Sequence, residues 1–409
     1  MQCHKVWRVS LDNFNYASIV PLIGGETIAM ENVFGKRPEH IMSYTGFQAN
    51  EEHLLNHYNN EVPYHILDEG KSRPAPVDVV NTVCPCAGLS SLSPQASSDN
   101  HNNDWMRKST DYVLSELKPK VLWGENAPRL ASKMGKPVVA DLRGMAEKYG
   151  YTFSIYQTKS ILHGLSQVRD RTFYFFWRGN KTPVLDWIEE PHERIEDAIR
   201  NVNLRPDDPM STILTNEKKP TDNPFYKYCL EEIEGGITHS EFQDKIEKST
   251  NPLDHIERHT NYKVVGEWMK KNGYDNEASK CDRMYEKLKS GGNIMRKTTE
   301  IPKDYIGAFV GHMPSSLTHP DEDRYLYVRE ALSMMRMPDD FQLLNPKRSL
   351  NHICQNVPVT TAEHAARGVK AFLEGRLDNR LLDTDFILQN NKAQKLDYQL
   401  NTSLEEFFG

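Results

Sequence analysis

Residues 16–177 alternate short apolar runs with helix-like stretches, and this rhythm restricts the chain to few folds. The runs are Tyr16–Val20, Ile41–Tyr44, Pro76–Thr82, Lys120–Trp123, Tyr151–Gln157 and Thr172–Trp177. They are short, rich in β-branched and aromatic residues, and bounded by proline, glycine or polar clusters. Between them lie helix-like stretches at Ile28–Phe34, Glu51–Tyr58, Asp104–Leu117 and Pro137–Tyr149, the last opened by Pro137 and stopped by Gly150. Strand–helix alternation of this kind predicts an α/β fold with a doubly wound, Rossmann-like, mostly parallel sheet. Such sheets collect their chemistry in the crevice at the carboxyl ends of the strands. The residues that follow each run are therefore the first place to look for function.

Size and composition narrow the class. A chain of 409 residues can hold two domains, and 38% hydrophobic residues with a mean hydropathy of −0.66 predicts a soluble protein. No apolar run is long enough to span a bilayer, and Met1–Arg8 lacks the apolar core of a signal peptide. The six cysteines are scattered, without a Cys-x-x-Cys pair, so reduced thiols, a cytoplasmic setting and no metal are expected. A net charge of −7 argues against a globally basic surface but leaves room for a local basic cleft.

Three strand ends carry reactive residues. The third run leads into Cys84-Pro85-Cys86-Ala87-Gly88-Leu89-Ser90, where Pro85 stiffens the turn and aims Cys86. The fourth ends in Gly124-Glu125-Asn126-Ala127, and the last is preceded by Gln167-Val168-Arg169-Asp170-Arg171. Singly, each has a plain reading: a core cysteine, a capping asparagine, a surface ion pair. In this order they resemble the C5-cytosine DNA methyltransferases, whose patterns are Pro-Cys-x-x-x-Ser, Glu-Asn-Val and Gln-x-Arg-x-Arg.

The resemblance implies a mechanism. Cytosine C5 is too weak a nucleophile to accept a methyl group unaided, and a thiolate adding to C6 turns the ring into an enamine. That role falls to Cys86. Glu125 would protonate N3, Arg171 would hold O2 and brace Glu125, and Arg169 would steady the same region or a phosphate. Asn126 would fix its turn. The target base must leave the duplex, and the loop from Leu89 to Asp104 is the natural lid over it.

The implied methyl donor is S-adenosylmethionine, or a modified sulfonium in its place. Pro21, Ile23, Gly24 and Gly25 stand at the family's first glycine motif, with Val20 in place of an aromatic residue and Leu22 in place of a glycine. Glu51 and Asp68 stand near the acidic positions for ribose and adenine, and Pro85 completes the set. Gln355, Asn356 and Val357 lie in the last motif, Ile353-Cys354-Gln355-Asn356-Val357-Pro358, whose helix folds back beside the glycine turn. His319 to Phe341 resembles the ninth motif, in which Arg324, Arg329 and Glu330 are structural.

Three segments are thus expected: a catalytic and cofactor part over 1–189, an inserted target-recognition domain over 190–317, and a return with a closing helix and tail over 318–409. Duplex DNA is the expected partner of a monomeric chain in a bacterial or phage-infected cytoplasm, with restriction–modification as a natural setting. Ser90, Lys287, Lys289, Arg296 and Lys297 are the candidate DNA contacts. Two alternatives stand beside this reading: the same chemistry on RNA cytosine, and a catalytically silent DNA-binding homologue.

Overall fold

A computed structural model describes residues 14–70, 73–90, 93–213, 219–296, 299–311 and 313–392. One compact unit comprises the described residues up to His163, Asp170–Glu190, and those from Asn356 onward; the other comprises Gly164–Arg169 and Pro191–Gln355. The expected return at residue 318 therefore comes later. Residues 318–355 pack with the second unit, and the chain rejoins the first at Asn356.

The first unit is built on an eight-stranded sheet. Its strands are β1 (Tyr16–Ile19), β2 (Ile41–Ser43), β3 (Tyr64–Ile66), β4 (Val79–Thr82), β5 (Val121–Asn126), β6 (Tyr151–Lys159), β7 (Asp170–Arg178) and β8 (Phe386–Asn390). They lie in the order β8-β6-β7-β5-β4-β1-β2-β3, and only β7 runs against its neighbours. The expected strands are found. β3 and β8 are additions, and β8 brings part of the expected tail onto the sheet edge, parallel to β6.

Burial on both faces explains the unbroken apolar run in β7. Tyr174 and Phe176 point into a core shared with the helices Asn102–Tyr112 and Lys136–Tyr149. On the other face Trp177 meets Phe372 of the helix Val359–Leu373 at a ring separation of 4.8 Å. That helix packs against Gly25–Phe34, so the sheet is covered from both sides, as a doubly wound fold requires. The same closing helix is pinned by a polar chain. His163 Nδ1 and His364 Nδ1 lie 2.7 Å apart, with Thr158 Oγ1 2.7 Å from His163 Nε2 and Glu190 Oε1 3.1 Å from His364 Nε2.

The second unit is mainly helical, with its own core around Tyr226, Phe242, Ile256, Val265 and Cys281. It also holds two buried ion pairs: Arg329 grips Asp208 at 2.5 and 3.0 Å, and Arg324 grips Glu330 at 2.7 and 2.8 Å. These arginines and Glu330 brace the fold, as expected of them. Among the described residues no helix is long and apolar enough to cross a membrane.

Candidate active site

The parallel pairing of β4 with β5, Thr82 opposite Gly124, brings their carboxyl ends to one edge. Cys86 follows β4, and Glu125 and Asn126 close β5. Antiparallel β7 returns to the same place, with Glu125 opposite Phe173 and Asn126 opposite Thr172, so Arg171 arrives beside the acid. Arg171 Nε lies 2.5 Å from Glu125 Oε1, and both side chains are largely buried. Asn126 holds the neighbouring loop. Its amide oxygen accepts from its own following N–H at 2.9 Å, and its Nδ2 donates to the Cys84 carbonyl at 3.5 Å. The strand-end asparagine thereby joins the cysteine loop to the acid strand.

The two cysteines of that loop differ. Cys84 is buried, its sulfur 3.3 Å from Thr82 Oγ1, and burial pushes its thiol up to about 11. It is a core residue. Cys86, two residues farther along, is half-buried. The expected lid beyond it is laced down. Ser97 N–H donates to the Gly88 carbonyl at 3.0 Å, and the buried Asn103 amide donates to the carbonyls of Ser97 and Ser98 at 2.9 and 3.0 Å. Ser90 is half-buried, and its carbonyl accepts from Arg129 at 3.3 Å.

Arg169 departs from its expected role. It belongs to the second unit, is fully buried, and donates to the main-chain carbonyls of Phe309 and Cys354 at 3.0 and 2.7 Å. A guanidinium enclosed in this way is a strut within its unit; it is not open to a phosphate.

The glycine turn between β1 and the helix Gly25–Phe34 is tighter than its sequence suggests. Val20 and Leu22 adopt φ of 51° and 54°, and Gly24 follows at 97°. Leu22 thus takes a left-handed backbone, which glycine would adopt without steric cost. Such strain costs about 1–3 kcal/mol and collects at functional turns. Gly25 is required for another reason: a Cβ there would lie 2.0 Å from the Val357 carbonyl oxygen. Asn356 accepts the Gly25 N–H at 2.9 Å. Asn356 and Val357 are both fully buried, so they hold the turn in place, whereas Gln355 is exposed and lies in the second unit.

The two acidic cofactor candidates diverge. Glu51 is fully buried, accepts from Ser43 Oγ at 2.7 Å and Tyr64 OH at 2.5 Å, and clamps β2 to β3. Burial raises its pKa to about 7, and the two hydroxyl hydrogen bonds offset this only in part. It is not open to a ribose. Asp68, just beyond β3, stays exposed at the sheet edge. Slight burial raises its proton affinity, but the hydrogen bonds from Thr45 outweigh this and keep it below the usual range.

Sequence reasoning missed Glu26, the first acid of the glycine-turn helix. It is fully buried, and neither carboxyl oxygen has a hydrogen-bond partner. Burial, and then the Glu125 charge, raise its pKa well above the usual value, while Asn81 partly offsets them. The signal was available: an acid directly after Gly24-Gly25, where the helix has to enter the core.

Of the candidate DNA contacts, Lys287 and Lys289 are exposed at the end of the helix Asp275–Lys289, where cations also suit the helix dipole. Arg296 is already engaged, donating to Glu257 at 2.8 and 3.0 Å and lying 3.2 Å from Asp254. A phosphate would have to compete with both acids for it. Lys297 lies outside the described residues.

A parallel-dominated sheet with a glycine turn after its first strand, and a thiol, an acid and a guanidinium at its carboxyl edge, defines a Rossmann-like methyltransferase fold. Solved structures agree. A prophage-encoded E. coli protein described as a DNA modification methyltransferase superposes with a TM-score of 0.55, covering 88% of this chain and 99% of that one at 15% identity. The Entamoeba histolytica methyltransferase EhMeth gives 0.50 over 88% and 98% at 13% identity. The family model of the C-5 cytosine-specific DNA methylases matches residues 14–371, and the chain belongs to that family. It is also 30% identical over 113 residues to the Type II methyltransferase M.AgeI of Thalassovita gelatinovora. That match covers 28% of this chain and spans about a quarter, 26%, of the curated relative's length.

Proposed function

We propose that the chain is a DNA cytosine-5 methyltransferase that uses S-adenosylmethionine and works through a covalent bond from Cys86 to cytosine C6. The observation that carries this reading is the Glu125–Arg171 pair at the sheet edge that also receives the Cys86 loop.

The residues act as follows. Cys86 adds to C6 of an extruded cytosine, and electron density moves toward N3 and C5. Glu125, beside N3, donates the proton that prevents charge from accumulating on the ring. Arg171 orients Glu125 and offers its remaining donors to O2. Asn126 keeps the Cys86 loop in register with the acid. Water removes the C5 proton after transfer, β-elimination expels the Cys86 thiolate, and N3 returns its proton to Glu125, which restores the neutral aromatic ring.

The residues around the glycine turn suit a sulfonium donor in part. The turn carries two glycines at the start of the helix, Asp68 offers an exposed carboxylate at the strand edge, and the buried Glu26 carboxyl is the first acid of that helix. When bound there, S-adenosylmethionine supplies an electrophilic methyl group. The second unit is the proposed target-recognition element, with Lys287 and Lys289 as its phosphate contacts. The word Type II in the relative's name supports a modification role of the restriction–modification kind.

Duplex DNA carrying 5-fluorocytosine tests the reading. Incubation with S-adenosylmethionine is expected to give a complex that survives denaturing electrophoresis, and Cys86→Ser to abolish it. Nucleoside mass analysis of DNA from expressing cells is expected to show 5-methylcytosine. A wild-type protein that binds DNA but forms neither adduct nor product would make it a silent homologue. Adduct on tRNA alone would move the substrate to RNA.

A further inference from the structure

The scattered cysteines led to the expectation of no metal, but the second unit contains a metal-type constellation without cysteine. His255 and His259 are four residues apart on the helix Pro252–His259, so they share one face. Glu234, just past the helical segment Cys229–Ile233, comes against them. One ligand atom from each of the three lies within 4.8 Å of the other two. We propose that Glu234, His255 and His259 form a binding site for a divalent transition cation of the zinc, cobalt or nickel class, which staples this helix to the preceding segment.

The hydrogen bonds prepare the ligands. His259 Nδ1 lies 2.9 Å from the His255 carbonyl, which can only accept, so Nδ1 carries the proton and Nε2 presents a lone pair. This is the second partner that ordered histidine ligands generally have. His255 Nε2 lies 2.7 Å from Glu234 Oε1. Ligands about 2.0–2.1 Å from a tetrahedral zinc are roughly 3.3 Å apart. The existing separations therefore bracket what a cation needs, and adjustments of about an ångström suffice. The cation replaces the proton between His255 and Glu234, which passes to Nδ1 of the same ring.

The neighbourhood is not uniformly favourable, and this gives the proposal its sharpest test. Lys245 pairs with the other oxygen of Glu234. Its side chain is 62% exposed and can withdraw into solvent. Arg258 also borders the site, but its donors are engaged by Thr250 Oγ1 and the Asp254 carbonyl. A surface cavity of about 240 Å³, lined by Glu234, Lys245, Thr250, His255, Arg258 and His259, leaves a fourth position to water.

The experiment uses the full chain, freed of metal by a chelator, titrated with zinc chloride by calorimetry and with cobalt chloride by visible absorption. One equivalent is expected to bind, with the intense bands of a four-coordinate nitrogen–oxygen cobalt site and a raised Tm. His259→Ala, at an exposed position, is expected to fold normally and weaken binding at least tenfold. Lys245→Ala is expected to tighten it several-fold, because it removes the competing ammonium. Binding unchanged in His259→Ala, sulfur-to-cobalt charge-transfer bands, or weaker binding in Lys245→Ala would each overturn the site.

Discussion

Arg171 reaches Glu125 with Nε 2.5 Å from Oε1, between antiparallel neighbours of the sheet and with little solvent on either side. A guanidinium so placed fixes the carboxyl's orientation before any base arrives. Glu125→Gln keeps the shape but cannot donate the acidic proton, so kcat is expected to fall 100- to 10,000-fold with DNA affinity nearly unchanged. Arg171→Ala leaves the buried Glu125 carboxyl without its polar partner, and a stability loss of about 1–3 kcal/mol is expected. Arg171→Lys is expected to recover much of that stability but little activity, since an ammonium lacks the planar fork. Single-turnover kinetics beside urea denaturation separates these effects.

The closing helix and the glycine turn depend on one another through Gly25. Adding a methyl group there places it 2.0 Å from the Val357 carbonyl oxygen and within 2.8 Å of the Asn356 amide, neither of which is a loose side-chain end. Gly25→Ala is expected to destabilise the first unit by roughly 1–3 kcal/mol, the usual cost of overpacking, and to abolish calorimetric binding of S-adenosylmethionine. Asn356→Ala removes the acceptor of a buried N–H, at about 1–3 kcal/mol. It is expected to retain weak cofactor binding.

The fold was readable in the sequence because each central strand announces itself. Thr172–Trp177 is apolar at successive positions, as burial on both faces demands, and Pro137 and Gly150 bracket a helix. The pairing of Arg171 with Glu125 was legible because strand ends are short and their residue types distinctive. Side-chain direction was not. Glu51 reads as a ribose ligand but turns inward to Ser43 and Tyr64, and Arg169, two positions from Arg171, is held by carbonyls of the second unit. These outcomes depend on partners distant in sequence. β3 and β8 were missed as short edge strands whose pairing, more than their composition, makes them strands.

Buried imidazoles make the fold sensitive to acid. Burial lowers His40 to about 4, with His65 adding to it, and lowers His163 to about 3, with His364 adding to it. Below pH 6.5 the unfolded chain takes up protons that the folded chain refuses, so stability falls as pH drops from about 6.5 toward 4. Each such histidine contributes at most about 1.4 kcal/mol per pH unit. Urea denaturation at pH 7, 6 and 5 is expected to show this decline, and His40→Gln to flatten it.

Glu51 acts with the opposite sign. Its folded pKa of about 7 exceeds that of an unfolded glutamate, so its contribution is complete below about pH 4.5 and is lost as pH rises toward 7. Glu51→Gln removes that loss while the side-chain volume stays. The variant is expected to gain on wild type by on the order of 2 kcal/mol between pH 5 and pH 8. A constant difference across that range would place the Glu51 proton elsewhere.

The loop after Cys86 hangs on Asn103. Its side-chain nitrogen holds the Ser97 and Ser98 carbonyls, and a Cβ on Gly88 would fall 2.3 Å from its oxygen. The loop is thus folded against a glycine two residues beyond the thiol. Asn103→Ala frees the loop without touching Cys86, Glu125 or Arg171. Its kcat/KM for duplex DNA is expected to fall about tenfold, within the range that small misplacements near reacting groups produce. Gly88→Ala drives the Asn103 side chain out and is expected to cost more, with slower formation of the 5-fluorocytosine adduct. If both variants trap the base at the wild-type rate, the loop plays no part in closing the site.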